Sequence, residues 1–231
     1  MFLTFVAPQH QPLSGSRLAS DELVGRSSPI FISHRLQERL SSGHNYSEDI
    51  IVTFDLFEHD NAGTASVSTY TAVSPLRFMH DDICYLALDK LASIILLPFH
   101  IRWGEDGGVE STDENMRTLN SKVLERAPCS VGILVNRSSS SSTHQSPLMK
   151  QIAMIFLGVA DDREALCLAR RTIKDYDFGR RNGIKSPQTA ALESWTEFSE
   201  LGVIGDLLAS SDTNTNASIL VVQQQQMPKS S

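Results

Sequence analysis

SIILLP at residues 93–98 and SVGILV at residues 130–135 are the two runs of sequence that decide the fold. Both are short and apolar, which is typical of strands that are covered on both faces of a parallel sheet. Between them, Thr112-Asp113 offers a helix N-cap and Ala127-Pro128 ends the helix. Strand, loop, helix and strand make one βαβ unit, which predicts an α/β fold.

The residues before this unit continue the alternation. Residues 29–34 are apolar and fit either a strand or a helix. A helix is predicted after Ser47, a β-branched strand at residues 67–73 and an amphipathic helix at residues 79–91. Helices and strands that alternate in this way up to residue 135 indicate a parallel sheet with covering helices.

A polar linker separates this half of the chain from a second half. Residues 136–147 contain five consecutive serines and no apolar period, so they cannot bury a face. The second half begins with an apolar run at residues 152–157, predicted as a buried strand, and a helix with Asp161 or Asp162 as its N-cap. A final strand is predicted at residues 219–222.

Several segments of the chain together resemble one protein family. They are MHDDIC at 79–84, LPFH at 97–100, LERAPCSVGILV at 124–135, GVADDREAL at 158–166 and LGVIGDLL at 201–208. In this order they resemble the cytosolic C-terminal region of plant cation/proton exchangers, which belong to the monovalent cation/proton antiporter superfamily. The resemblance implies two tandem modules similar to universal stress proteins, with the membrane-embedded antiporter upstream of them.

The expected architecture follows from this resemblance. The fold class is α/β, with parallel-sheet, universal-stress-protein-like (Rossmann-like) modules that are incomplete. The expected parts are an irregular arm at 1–26, a first module without its first strand at 27–136, a Ser-rich linker at 137–148, a second, internally truncated module at 149–226 and a tail at 227–231. Between Lys174 and Trp195 the family has a strand–helix–strand stretch that this chain lacks.

Incomplete modules would leave apolar sheet edges open, which favours pairing between them. We therefore expect one composite sheet in which residues 152–157 lie beside residues 94–97. Residues 219–222 would then add at an edge of this sheet or pair with a second copy as a homodimer.

Composition restricts the classes of function. A formal net charge of −7 without a long cluster of Lys or Arg excludes nucleic acid as a partner. The longest apolar runs, such as residues 91–99, are far shorter than the roughly 20 residues of a spanning helix. Residues 1–7 lack the positive flank of a signal peptide. We expect no direct membrane insertion and no ion movement by this chain alone, as for a fragment or truncated copy of an antiporter.

The nucleotide-binding motif of universal stress proteins is incomplete in the first module. ATP-binding members carry Gly-x-x-Gly, nine residues and then Gly-Ser/Thr, and the backbone N–H groups approach the phosphates. Here Gly104-x-x-Gly107 is followed by Arg117-Thr118, so an arginine replaces the third glycine. Its side chain would either pair with a phosphate or, in the preferred interpretation, fill the space that a phosphate needs.

The second module departs from the motif in the same way. Gly202-x-x-Gly205 is followed by Thr215 where the third glycine is required. Asp161-Asp162 matches the strand-end acid that contacts the nucleoside in ATP-binding relatives, or is simply a helix N-cap. No cofactor is predicted in either module.

The remaining candidate functional residues are two histidines and the three cysteines. His80-Asp81-Asp82 with Cys84 resembles a metal cluster, but zinc needs three or four ligands, so first-turn acids and a core thiol are the preferred interpretation. His100 lies at the edge of a sheet where α/β folds place ligands, and is either a pH-titrating group or a hydrogen-bonded loop residue. Reduced core thiols are predicted for Cys84, Cys129 and Cys167.

No catalytic motif is specified, so the chain is predicted not to be an enzyme and to have no catalytic, cofactor-binding or metal-binding residues. The resemblance implies a regulatory or interaction region of an antiporter that exchanges potassium or other monovalent cations for protons and adjusts pH, largely in endomembranes. Its partner would be the antiporter membrane domain or a homologue, on the cytosolic side. Serines 138–142 are either phosphorylation targets or a spacer. The alternative is a free-standing nucleotide-binding universal-stress-type protein.

Overall fold

A computed structural model describes residues 2–8, 31–34, 46–72, 74–104, 107–137, 153–156, 158–172, 197–210, 213 and 217–225. The chain divides into two compact units, Met1–Ala92 and Ser93–Ser231. Within the described ranges, no helix is both long and apolar enough to cross a membrane.

The Met1–Ala92 unit contains an antiparallel sheet. Its elements are β1 (Phe2–Pro8), β2 (Phe31–His34), α1 (Tyr46–Asp60), β3 (Ala65–Ala72), a 3₁₀ turn (Leu76–Phe78) and α2 (Met79–Asp89). The described strands are ordered β1-β3-β2, and both neighbours run antiparallel to β3.

The structure of this unit bears on three expectations from the sequence. Part of the predicted irregular arm is strand β1, and the open question at residues 29–34 resolves to strand β2. The β-branched strand is present as β3, but its placement in a parallel sheet with residues 94–97 is wrong. A β-branched run specifies a pleated strand, whereas its neighbours are chosen by packing with residues distant in sequence.

The Ser93–Ser231 unit contains a mixed α/β structure. Its elements are β4 (Ile94–Pro98), β5 (Ile101–Trp103), β6 (Val109–Thr112), α3 (Glu114–Arg126), β7 (Ser130–Val135), α4 (Ala160–Thr172), a 3₁₀ turn (Ser199–Leu201), α5 (Gly202–Ala209) and β8 (Ile219–Gln223). In the described residues, β4 pairs parallel to β7, and β8 pairs antiparallel to the other edge of β7. The parallel pair confirms the α/β class and fits an incomplete universal-stress-like fold.

Helix α3 begins and ends where the sequence predicted. The Asp113 carboxylate accepts the N–H groups of Asn115 and Met116 at 3.0 and 3.1 Å, which satisfies two donors at the start of the helix. The helix ends at Arg126, before Ala127-Pro128. The predicted βαβ connection is therefore confirmed, with the β5–β6 hairpin inserted between β4 and α3.

Alternation along the strands separates two faces of this sheet. One face carries a core of buried residues formed by Phe99, Ile133, Val135, Leu201 and Ala209. The other face carries exposed leucines, namely Leu96, Leu134 and Leu220. The core face is the one that faces α5 and the 3₁₀ turn, so these elements are held beside the C-terminal end of β4.

The composite-sheet prediction is wrong in the described residues. Residues 153–156 have no regular structure, and residues 152 and 157 lie outside the described part of the chain. The strand that pairs with β4 is β7. Residues 219–222 form the predicted edge strand, but it runs antiparallel, so the sheet is mixed. An apolar run becomes a strand only beside a partner, and the apolar pattern of residues 152–157 does not by itself specify an edge to pair with.

The three cysteines occupy different environments. Cys129 is buried, and desolvation raises the pKa of its thiol to about 11. Because the thiolate is the reactive form, Cys129 is an inert core thiol, as predicted. Cys84 is half-buried and Cys167 is exposed, so the core prediction is wrong for Cys167.

Candidate functional site

A buried histidine–carboxylate pair lies at the C-terminal end of β4, where the chain leaves the sheet. His100 Nδ1 is 3.0 Å from Glu200 Oε1, and the two side chains are 1% and 4% exposed. Neither atom has an aligned hydrogen-bond partner among the described residues, so the two atoms lie close together without a well-aligned hydrogen bond. His100 comes from the loop after β4, and Glu200 from the 3₁₀ turn a hundred residues later.

Arg117, in the first half of α3, joins this pair to the neighbouring backbone. Its Nε lies 3.9 Å from Glu200 Oε1, and its Nη2 donates to the Glu197 carbonyl at 3.2 Å. The guanidinium is 5.8 Å from the centre of the Phe198 ring. We refer to His100, Arg117, Phe198 and Glu200 as the His100 cluster.

Aromatic rings enclose the imidazole. The Phe99 and His100 ring centres are 4.3 Å apart, and the Phe198 ring lies 5.3 Å from each of them. Trp103 stacks on the far side of Phe99 at 5.9 Å. These apolar contacts remove water from His100, which explains the burial of the pair.

Backbone bonds fix the position of the cluster. The His100 carbonyl accepts the Asp113 N–H at 2.9 Å, and the Asn120 side-chain amide donates to the Pro98 carbonyl at 2.9 Å. On the other side, Asp206 accepts the Glu197 N–H at 2.7 Å. The end of β4, the start of α3 and the turn before α5 are thus tied together at one place.

Burial lowers the pKa of His100 below its ordinary value. The Glu200 carboxylate opposes this shift, the Arg117 charge adds to it, and Glu114 and Asp113 oppose it more weakly. His100 is therefore neutral at pH 7. Because its Nδ1 faces a carboxylate oxygen, the hydrogen of the neutral imidazole belongs on Nδ1.

The structure does not shape the first glycine motif as a phosphate cradle. Gly104 and Gly107 close the β5–β6 hairpin, in which the Gly107 N–H donates to the Gly104 carbonyl at 3.0 Å and Gly107 has φ +79°. Arg117 contacts Glu200 and Glu197 instead of an open site, and the neighbouring Thr118 is exposed.

The second motif is also used for packing. A Cβ added at Gly205 would lie 2.7 Å from Val221 Cγ2, so this glycine lets α5 approach β8 closely. Asp161 accepts the backbone N–H of Gln224, just after β8, at 2.7 Å. The position that contacts a nucleoside in ATP-binding relatives is therefore occupied by this chain. Thr215 lies outside the described residues.

Asp162 caps helix α4 from inside its first turn. Its Oδ2 accepts the N–H groups of Gly158 and Val159 at 2.6 and 3.0 Å. The capping interaction was predicted, but its position was not, because the helix begins at Ala160 and the carboxylate reaches back from the third helical residue.

His80 belongs to the Met1–Ala92 unit. Its Nε2 lies 3.2 Å from Asp81 Oδ1, near the start of α2. Among the described residues, no group of three or more His, Cys, Asp or Glu side chains is placed to hold a metal ion. The serines at 138–142 lie outside the described part of the chain.

Sequence reasoning missed Glu200. An acid between the apolar residues Phe198 and Leu201 was a local signal, since such a spacing places a carboxylate close to buried side chains. Nothing in the sequence connects it to His100, because that contact depends on the fold.

Comparison with known proteins is decisive for the family. A family model described as a plant cation/H(+) antiporter domain matches residues 18–139, more than half of the chain. The chain belongs to the plant cation/H(+) antiporter family. A second model, for the plant cation/H(+) antiporter C-terminal domain, matches residues 173–223 of this antiporter-family chain.

Curated relatives of the antiporter family support this assignment. Cation/H(+) antiporter 3 of Arabidopsis thaliana is 38% identical over 89% of the chain and 35% of the relative. Cation/H(+) antiporter 6A of the same plant is 34% identical over 96% of the chain and 37% of the relative. The chain thus spans little more than a third of the length of these relatives.

The alignment with Cation/H(+) antiporter 3 extends over 288 positions, more than the 231 residues of the chain. The relative therefore contains segments that this antiporter-family chain lacks. No solved structure matches the chain.

Proposed function

We propose that the chain acts as a non-catalytic regulatory and interaction region of a cation/proton antiporter. The observation that carries the proposal is the match of two antiporter family models to residues 18–139 and 173–223, without a membrane-spanning helix in the described residues. The partner would be an antiporter membrane domain, on the cytosolic side of an endomembrane. Potassium is the proposed exchanged cation and pH homeostasis the proposed outcome. The predicted module boundaries, at 27–136 and 149–226, are part of this proposal.

Binding to a membrane domain tests the partner. We expect the full chain to bind, saturably, the detergent-solubilised membrane domain of Cation/H(+) antiporter 3 prepared without the region that matches this chain. The intact relative is the control, because its own matching region would occupy the same surface and reduce binding. Equal binding to the two preparations, or to neither, would contradict the proposal.

A transport assay tests which cation the antiporter exchanges. Proteoliposomes that contain the same membrane domain are loaded with K⁺ or with Na⁺, and proton flux is measured before and after the chain is added. We expect the chain to change the K⁺-dependent flux more than the Na⁺-dependent flux. A change of equal size with both cations would contradict the potassium assignment and leave the partner result standing.

The second candidate function is that of a nucleotide-binding stress-type protein. It predicts that ATP binds the chain and stabilises its fold. Arg117 contacts Glu200, and Asp161 accepts the Gln224 N–H, so the positions that would serve a nucleotide are occupied. We expect millimolar ATP or AMP to leave the melting temperature unchanged. A ligand at 100 times its Kd would stabilise the fold by about 2.7 kcal/mol. Inorganic triphosphate controls for ionic effects, and a rise of several degrees with ATP alone would favour the second candidate.

A further inference from the structure

The contacts that hold the 197–200 segment against the end of β4 differ in kind from the contacts that hold the residues after it. Glu200 and the Glu197 carbonyl contact charged or titratable groups, namely His100 and Arg117. Elsewhere the chain is held by contacts that do not involve His100: Leu201 is buried in the core, and Arg137 donates to the Ser210 carbonyl at 2.9 Å. The two sets meet between Glu200 and Leu201, one residue before Gly202, whose φ of +62° favours glycine.

We propose that His100, Arg117 and Glu200 form a pH-dependent clasp that holds the 197–200 segment on the end of β4 while His100 is neutral and releases it when His100 is protonated. A proton on the second imidazole nitrogen would place a buried positive charge next to the Phe99 and Phe198 rings, where the Arg117 charge disfavours it. Release of the segment exposes the imidazolium to water and removes that cost.

The charged groups around His100 determine the direction of the response. Glu200 faces it from the 3₁₀ turn, and Arg117, Glu114 and Asp113 face it from α3 and its N-cap. The carboxylates favour protonation, but burial and Arg117 outweigh them, so the pKa in the closed state lies below its ordinary value. Stability from the closed clasp is therefore present above about pH 6.5 and is lost as the pH falls below it.

An open pocket of about 270 Å³ borders the clasp at Glu200. Its lining residues are Ser121, Leu124, Glu125, Ser199, Glu200 and Gln223. Glu200 is thus the member of the clasp that lines the pocket, although its side chain is only 4% exposed.

Hydrogen–deuterium exchange of the full chain at pH 7.5 and 5.5, corrected for intrinsic exchange rates, tests the clasp. The Glu197 and Leu201 N–H groups are reporters, because they donate to Asp206 and to the Phe198 carbonyl. We expect their protection to fall by up to about tenfold at pH 5.5, the largest change that one histidine of ordinary pKa 6.5 supplies over this interval. Amides of β7 should keep their protection; an equal loss there would indicate global unfolding and overturn the clasp.

Two variants assign the response to His100. His100→Gln keeps a neutral polar side chain and should abolish the pH response of the 197–200 segment. His80→Gln changes a buried histidine of the Met1–Ala92 unit and should leave the response intact. An undiminished response in His100→Gln overturns the proposal.

Histidine NMR of the unsubstituted chain provides a test that does not depend on how His100→Gln folds. With assigned ¹⁵N-labelled imidazoles, we expect His100 to titrate below pH 6.5 and to carry its hydrogen on Nδ1 when neutral. Titration at or above pH 6.5 would overturn the clasp. None of these measurements uses a membrane domain, so failure of the clasp is distinguishable from failure of the proposed function.

Discussion

Replacing Ile133 with alanine is expected to lower the free energy of unfolding of the Ser93–Ser231 unit by about 2–5 kcal/mol. Ile133 is 1% exposed and lies in β7, between β4 and β8. It belongs to the core that also contains Phe99 and Leu201. Truncation removes apolar contacts and leaves a cavity, and a strand that is paired on both edges cannot shift to fill it.

Leu134→Ala is the matched control for this prediction. The neighbouring side chain points to the other face of the same strand and is 45% exposed, so its truncation should cost about 0.5 kcal/mol or less. Urea denaturation followed by the fluorescence of the two tryptophans, Trp103 and Trp195, measures both variants. Similar losses in the two variants would show that the face assigned as the core is not the stabilising one.

Local signals in the sequence were sufficient for one part of this fold. The strand runs at 93–98 and 130–135, the Asp113 cap and the Pro128 stop each depend on residues within a few positions of one another, and the structure contains all of them. The parallel pairing of β4 with β7 also follows, because a helical crossover of this length connects parallel neighbours.

The sequence did not predict which strands that are distant in the chain pair with one another. Strand β3 pairs with β1 and β2, and β8 approaches β7 antiparallel. In both cases the apolar or β-branched pattern is the same whichever neighbour the strand takes, so pattern alone leaves the partner open. The resemblance to universal stress proteins favoured an all-parallel sheet, and this chain departs from it at β8.

At the candidate site, too, the sequence predicted the local features but not the long-range contacts. His100 was correctly placed at the end of a strand, because that position depends on the adjacent run of sequence. Its burial, which lowers its pKa, depends on contacts such as that with the Phe198 ring, which reaches it only through the fold. Glu200, whose carboxylate opposes this shift, is also brought to His100 only by the fold. Arg117 was recognised as a departure from a glycine motif, but its contacts with Glu200 and the Glu197 carbonyl give the physical reason for the departure.

Gly205→Val is expected to destabilise the Ser93–Ser231 unit by about 1–3 kcal/mol. The first added carbon would lie 2.7 Å from Val221 Cγ2 and 3.1 Å from Leu201 Cβ. Neither neighbour can turn away: Val221 is branched at Cβ and has a restricted rotamer, and the Leu201 atom is fixed by the backbone. Helix α5 would have to move from β8, and the loss is measurable by urea denaturation at pH 7.5.

Gly205→Ala and Gly132→Ala form a matched pair that separates this explanation from a general effect of removing glycine. A Cβ at Gly132 also lies 2.7 Å from a neighbour, but that atom is Cδ2 of Leu96, the tip of a flexible side chain that is 59% exposed. Leu96 can rotate into solvent, so Gly132→Ala should change stability by about 0.5 kcal/mol or less. Gly205→Ala should be the more damaging of the two, even though alanine favours a helix by about 1 kcal/mol over glycine. The reverse order would show that α5 does not depend on close contact with β8.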